Sequence, residues 1–115
     1  TFMDFNDLAS GQQYQNLSQL YDSTVKEHPS FKIPEGSLNT LGLQLVFNPD
    51  TAEQGINIFL FAVALYPNSA NLFDSLAEGY LFNGIEEKAI ENFKKSLDLN
   101  SQNQNAIDRL KQLKD

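Results

Sequence analysis

His28 is the only imidazole in the chain, and it stands beside Pro29 with no serine or cysteine nucleophile at a recognisable spacing from it. A histidine acts as a general base when geometry hands it a nucleophile and a group that orients it. Neither is legible here, so a solvated residue at a helix end is the expected role. The strand–turn–helix serine motif G-x-S-x-G is also absent from the sequence. Paired carboxylates could do acid–base work, and Glu86 with Glu87 or Asp50 with Glu53 are the candidate pairs. Both pairs fall where helices are expected to start, and negative charge at that position complements the helix dipole. The remaining Asp and Glu are scattered without the alternating ligand spacing of a calcium loop. The chain has no cysteine, which removes thiolate metal sites, disulfides and a thiol nucleophile together. These residues predict no catalytic group, no metal and no cofactor.

Charge and hydropathy bound the partners. The net charge is −7, and no Lys or Arg occurs between Lys32 and Lys88, so the clustered basic surface that phosphate backbones require is missing. The longest apolar run, Ile56 to Tyr66, is too short to cross a bilayer and fits the buried stripe of a helix. The N-terminal residues TFMDF carry neither the charged region nor the apolar region of a signal peptide, and they read as the start of a piece cut from something longer. A length of 115 residues with 41% hydrophobic and 20% charged residues suits one soluble domain with a modest core.

The elements that must position any site are helical. Leu8, Tyr14, Leu17, Leu20, Tyr21 and Val25 recur on one face of a helix expected over Asp7 to Glu27, with Gly11 a weak point and Pro29 the stop. Phe31 to Pro34 reads as a short extended link with its apolar pair on one side. Ser37 is the expected N-cap of a helix reaching Phe47, and Asp50 with Glu53 the expected capping box of the next, which ends near Tyr66. Further helices are expected at Ala70 to Phe82, at Glu86 to Leu99 and from about Asn103 to Leu113. The last carries a polar outer side of Asp108, Lys111, Gln112 and Lys114.

Two of these stretches repeat each other at a spacing of 34 residues: Gly55, Ile56, Phe59, Ala62, Leu65 and Pro67 are answered by Ala89, Ile90, Phe93, Ser96, Leu99 and Ser101. Phe73 and Leu76 recur as Ile107 and Leu110, while Leu41, Gly42 and Leu45 precede Leu76, Ala77 and Tyr80 by 35, which places a one-residue insertion in the turn between Asn48 and Gln54. A period of this length built from two helical patterns is the signature of stacked helix-turn-helix units.

The stretch from Ala70 to Asn103 resembles the tetratricopeptide consensus. Phe73 stands at the family's large aromatic position, Leu76 and Ala77 at its Leu-Gly pair, and Tyr80, Gly84, Ala89, Phe93 and Ser96 follow in register. Small side chains let helix axes approach and the large ones fill the space between them. Gly84 is placed for a left-handed turn. The resemblance implies an all-α superhelix of two helical hairpins, with an N-terminal packing helix and a C-terminal capping helix. The expected divisions are residues 1–35, 36–69, 70–103 and 104–115. Because stacked units seldom hold with so few members, the N-terminal helix is expected to cover the first repeat or the inner strip through Leu8, Tyr14, Leu17 and Leu20. By that expectation its removal would uncover Leu43, Val46 and Phe47.

A second resemblance concerns the connector. Tyr14, Leu17, Ser18, Pro34, Glu35, Asn39, Leu41 and Gly42 are similar to the segment that joins an α/β-hydrolase domain to a C-terminal tetratricopeptide repeat in bacterial esterases of the enterochelin-esterase-like group. Gln13 and Leu43 depart from that pattern, and similar tails occur on β-lactamase-like serine hydrolases. The resemblance implies a non-catalytic protein-interaction or intramolecular docking module attached to a serine hydrolase, in a bacterial cytoplasm or periplasm. The alternative it implies is an accessory domain that shapes the hydrolase's active-site access and has no partner of its own.

In tetratricopeptide proteins the first helix of each unit lines the inner face. Carried over position by position, that selects Asn39, Leu43, Val46 and Phe47, then Asn71, Asp74, Glu78, Leu81 and Phe82. No inward Lys or Arg is available to clamp an acidic peptide terminus, and Asp74 with Glu78 would repel one. The strip is expected to be apolar with an acidic edge. It is either covered by the chain's own N-terminal helix or a catalytic domain, or open to a basic or neutral amphipathic segment.

Overall fold

The computed structural model describes Thr1 to Leu113, and these residues form seven α-helices and no strand. They are α1 (Phe2–Gly11), α2 (Leu17–Glu27), α3 (Glu35–Val46), α4 (Ala52–Leu65), α5 (Ala70–Phe82), α6 (Glu86–Leu99) and α7 (Gln104–Leu113). Lys114, expected on the polar side of the last helix, lies outside the described residues. Short turns join α3 to α4 and α5 to α6 and fold each pair into an antiparallel hairpin. The two hairpins stack with α4 against α5 and α3 beside α5, and α7 closes on α6. One layer therefore holds α3, α5 and α7, and the other holds α4 and α6.

Packing explains why the repeated residues have the types they do. Phe59 and Phe93, 34 positions apart, are both fully buried, as are Ala62 and Ser96, and Gly55 and Ala89 are buried too. Each large apolar side chain so covered stabilises the fold by about 1.5–3 kcal/mol. The small residues set how near the axes come. A β-carbon on Gly42 would fall 2.5–2.8 Å from the Phe59 ring, and one on Gly55 would fall 2.7 Å from the Val46 backbone nitrogen. In the second hairpin Ser69 caps α5, its Oγ accepting from the Leu72 amide at 3.1 Å. Gly84 ends the turn at φ +78°, the left-handed conformation that only glycine enters without cost.

Three boundaries depart from the sequence reading. Pro34, at φ −60° and ψ 143°, precedes the first turn of α3 directly, so Leu38 donates to the Pro34 carbonyl and Ser37 lies inside the helix instead of capping it. The Asp50–Glu53 capping box does not form. Asn48 Oδ1 takes the Asp50 amide at 2.9 Å, and Thr51 Oγ1 donates to the Leu45 carbonyl at 2.7 Å, so the hydroxyl serves the end of α3 and not the start of α4.

The third departure is the largest. The single helix expected over Asp7 to Glu27 is two helices, broken between Gly11 and Leu17. Gln13, Tyr14 and Asn16 all take positive φ, near +56°. The left-handed conformation costs roughly 1–2 kcal/mol per non-glycine residue, less for Asn. What offsets it is burial: the break swings Tyr14 and Leu17 into the core at 6% and 4% exposure, and Tyr14 Oη donates to Asn6 Oδ1 at 2.8 Å. Leu8 consequently points to solvent, and α1 packs through Phe5 and Ala9.

The N-terminal pair does form an extra layer, with Phe2 and Asn6 of α1 beside Gly36, Thr40 and Gln44 of α3. Helix α2 packs on α4, and an aromatic chain runs Phe5–Phe31–Tyr21–Phe61 with successive ring centroids 5.4, 6.2 and 5.6 Å apart. Ile33 in the extended link is fully buried, and its carbonyl accepts from Tyr66 Oη. This layer covers Phe61, not Phe47. Val46 owes its burial to the glycines facing it, so the expectation that the N-terminal segment shields Leu43, Val46 and Phe47 is replaced by one centred on Phe61.

Candidate functional site

The strip selected from sequence divides into three parts. Asn39 and Ser75 join α3 to α5, Ser75 Oγ donating to Asn39 Oδ1 at 2.6 Å. Val46 is withdrawn from the surface altogether: it is fully buried, its Cγ2 lies 2.5 Å from where a β-carbon on Gly79 would be, and its carbonyl accepts from Asn83 Nδ2 at 3.1 Å. Leu43 and Leu81 are half-buried against the core, and Asn71 is exposed.

Asp74 and Glu78, the expected acidic edge, are engaged by α7. Asn105 Nδ2 reaches Asp74 at 2.9 Å and Glu78 at 2.8 Å, and Asn103 Nδ2 donates to Asp74 at 2.8 Å. Arg109 closes on Glu78 with a two-pronged bond, Nε at 2.8 Å and Nη2 at 3.0 Å. That bond holds the guanidinium pKa above its ordinary value, against the opposing effect of partial burial. Charge-assisted forks of this kind fix register as well as adding energy. Asn103 is the hub of the junction: it also donates to Ser96 Oγ, whose hydroxyl in turn donates a hydrogen bond to the Ala70 carbonyl, while its Oδ1 accepts the Ala106 amide at the start of α7.

Asn103, Asn105 and Arg109 were not among the residues chosen from sequence. Their signal was the period itself. Asn105 follows Asn71 and Arg109 follows Ser75 by 34 positions, so whatever α5 presents to α3, α7 presents to α5.

What stays open is aromatic. Phe47 at the end of α3 and Phe82 at the end of α5 meet edge-to-face, centroids 5.3 Å apart and planes at 90°, yet they remain 43% and 54% exposed. Such a pair contributes about 0.5–1.5 kcal/mol beyond its area. Ile85, 41% exposed, follows in the turn after Phe82.

His28 is exposed at the end of α2, where its amide donates to the Thr24 carbonyl and its own carbonyl accepts from the Phe31 amide. The shallow cleft beside it is bordered by Thr1, Asp4, Ser23 and Glu27. There the Asp4 carboxyl is held below its usual pKa by hydrogen bonds from Thr1, a local N-terminal cap. Among the described residues no group of three or more His, Asp or Glu converges as metal ligands would, and no helix is long and apolar enough to cross a membrane. No protein-family model matches the chain, and no curated protein matches it significantly.

Proposed function

We propose that this chain is a non-catalytic, tetratricopeptide-like docking module whose inner face takes an amphipathic helical segment, from another protein or from a hydrolase domain of the same polypeptide. The observation that carries the reading is the exposed Phe47–Phe82 pair, two aromatic rings from equivalent helix ends held in one geometry and left uncovered. Paired exposed aromatics on a rigid scaffold are typical anchors for a partner. Asp74 and Glu78 are matched by Asn105 and Arg109, so the attraction for charge is weaker than the sequence suggested. The net charge of −7 still favours neutral or basic segments over acidic ones. Hairpins at the tetratricopeptide spacing and the connector resemblance support the same reading.

The test is an amide NMR titration of the full chain with lysine-rich and glutamate-rich amphipathic helical peptides. The lysine-rich peptide is expected to shift Leu43, Phe47, Phe82 and Ile85, and Phe47→Ala/Phe82→Ala to weaken it about tenfold or more. Shifts confined to other faces, or none with either peptide, would remove the proposal.

A further inference from the structure

Asn83 followed by Gly84 is the one Asn-Gly step in the chain, and it falls where the two hairpins meet. Val46 is the last residue of α3 and Phe82 the last of α5, so the carbonyls of these final turns have no partners inside their own helices. The half-buried Asn83 side chain serves both ends. Its Nδ2 donates to the Val46 carbonyl at 3.1 Å and to the Gly79 carbonyl at 2.7 Å, which ties the hairpins together beside the Phe47–Phe82 pair.

An asparagine amide is open to attack by the backbone nitrogen of the residue that follows it, and a glycine nitrogen is the least hindered because no β-carbon stands beside it. Gly84 N gives up its proton to a base in solvent and bonds to Asn83 Cγ. The Cγ–Nδ2 bond then breaks, and the nitrogen leaves as ammonia with a proton from water. Water opens the resulting five-membered succinimide at Cγ to give aspartate, or at the Asn83 backbone carbonyl carbon to give isoaspartate. One water is consumed and one ammonia released, with no change of oxidation state.

The native turn restrains this reaction. Ring closure needs Gly84 N eclipsed with Asn83 Cβ, which at an L-residue means a ψ of about −120°. Asn83 sits at ψ 11°. Rotation to the reactive angle takes Gly84 N from the Leu81 carbonyl, to which it donates at 3.1 Å, and Ile85 N from the Tyr80 carbonyl at 2.9 Å. Asn83 Cγ must also leave the two carbonyls that its amide holds. Gly84 and Ile85 are exposed, so these few bonds open locally while the hairpins stay folded.

We infer that Asn83 is a covalent modification site of the folded chain, deamidated by water through local opening of this turn, and that the product unties the two hairpins beside Phe47 and Phe82. An ionised carboxylate has no proton to return to the Val46 and Gly79 carbonyls. It also sets negative charge at the negative dipole ends of α3 and α5 together. Opening becomes irreversible, because the group that closes the junction is the group the reaction removes.

The experiment incubates the full chain in mildly alkaline buffer with and without urea, and peptide maps by mass spectrometry follow the conversion of amide to acid. Asn83 is expected to convert in both samples to a mixture of isoaspartate and aspartate, about tenfold or more slowly in the native chain. Two variants test the consequence: Asn83→Asp carries the product's charge, and Asn83→Ala removes the donor alone. Asn83→Asp is expected to melt below Asn83→Ala at neutral pH and to lose the ring contact between Phe47 and Phe82 in NMR spectra. The gap between the two variants should narrow at a pH low enough to protonate the new carboxyl, which then donates again. Equal rates with and without urea, no conversion at Asn83 in the native chain, or an Asn83→Asp variant as stable as Asn83→Ala at neutral pH would each overturn the inference.

Discussion

Val46 Cγ2 sits 2.5 Å from where a β-carbon on Gly79 would be, so the two hairpins approach to a distance that only glycine permits. Val46 cannot retreat, because the Gly55 side of the same residue is equally close, its backbone nitrogen 2.7 Å from a β-carbon placed there. Its branched side chain has no alternative rotamer of low cost in a helix. Replacing a helical glycine by alanine normally gains about 1 kcal/mol of propensity. Here overpacking opposes that gain, and Gly79→Ala is expected to destabilise by about 1–3 kcal/mol net. Gly36→Ala, which meets nothing within 4 Å, is the control and should be neutral or slightly stabilising. Chemical denaturation of both variants decides it, and Val46→Ala should rescue part of the Gly79→Ala loss.

The Glu78–Arg109 fork predicts measurable coupling between α5 and α7. Its groups are 19% and 37% exposed, so solvent screens part of the attraction and a double-mutant cycle with Glu78→Gln and Arg109→Met should return about 1 kcal/mol, near the upper end for such pairs. Coupling near zero would mean that Asn103 and Asn105 alone hold α7.

Tyr80 gives the chain an alkaline limit. Burial, aided by the nearby Glu91 carboxylate, raises its phenol pKa above the ordinary value of 10.0. The unfolded chain therefore releases this proton at lower pH than the folded one. The Tyr80 contribution is fully present below pH 10.0 and is lost as pH rises through the raised value, with a slope of up to about 1.4 kcal/mol per pH unit. Tyr80→Phe should flatten the stability profile above that pH relative to wild type, as followed by urea titrations at fixed pH.

How much of this was legible varied along the chain for physical reasons. Helices α5, α6 and α7 carry the clearest repeat, and their limits agree with the sequence reading to within a residue, as does the left-handed turn at Gly84. The N-terminal break was hidden because Tyr14 and Leu17 fit the face of one continuous helix, while the positive φ of Gln13 and Tyr14 belongs to residues that rarely adopt it. Candidate strip residues were chosen by position within a unit, which locates a side chain on a face but not its neighbours. That choice assigned Val46 to a surface where Gly55 and Gly79 leave it no exposure, and it left out Asn105 and Arg109, whose role depends on a helix from the next unit.

The strained turn makes a prediction of opposite sign. Gln13→Gly removes a β-carbon from a left-handed residue that is itself exposed, and should stabilise by up to about 1 kcal/mol. Asn16→Gly should gain less, since asparagine already tolerates that conformation. Thermal melts of both variants measure the difference, and a loss at Gln13 would show that the left-handed break between α1 and α2 is not the native turn.

The last prediction concerns the layer formed by α1, α2 and the extended link. Deleting residues 1–32 removes Phe5, Tyr21 and Phe31 from the aromatic chain and leaves Phe61 and the remaining Ile33 without their cover. Losing the burial of several large apolar side chains at about 1.5–3 kcal/mol each approaches the whole stability of a small domain. The truncated chain should therefore melt well below the full one and self-associate through the uncovered face of α4, as a stacked array does when it loses a cap. Calorimetry measures the first effect and sedimentation the second, and Phe61→Ser in the truncated chain should reduce association without restoring stability. A truncated chain that stays monomeric and melts with the full one would make the N-terminal layer dispensable. The two hairpins with α7 would then be the complete folding unit.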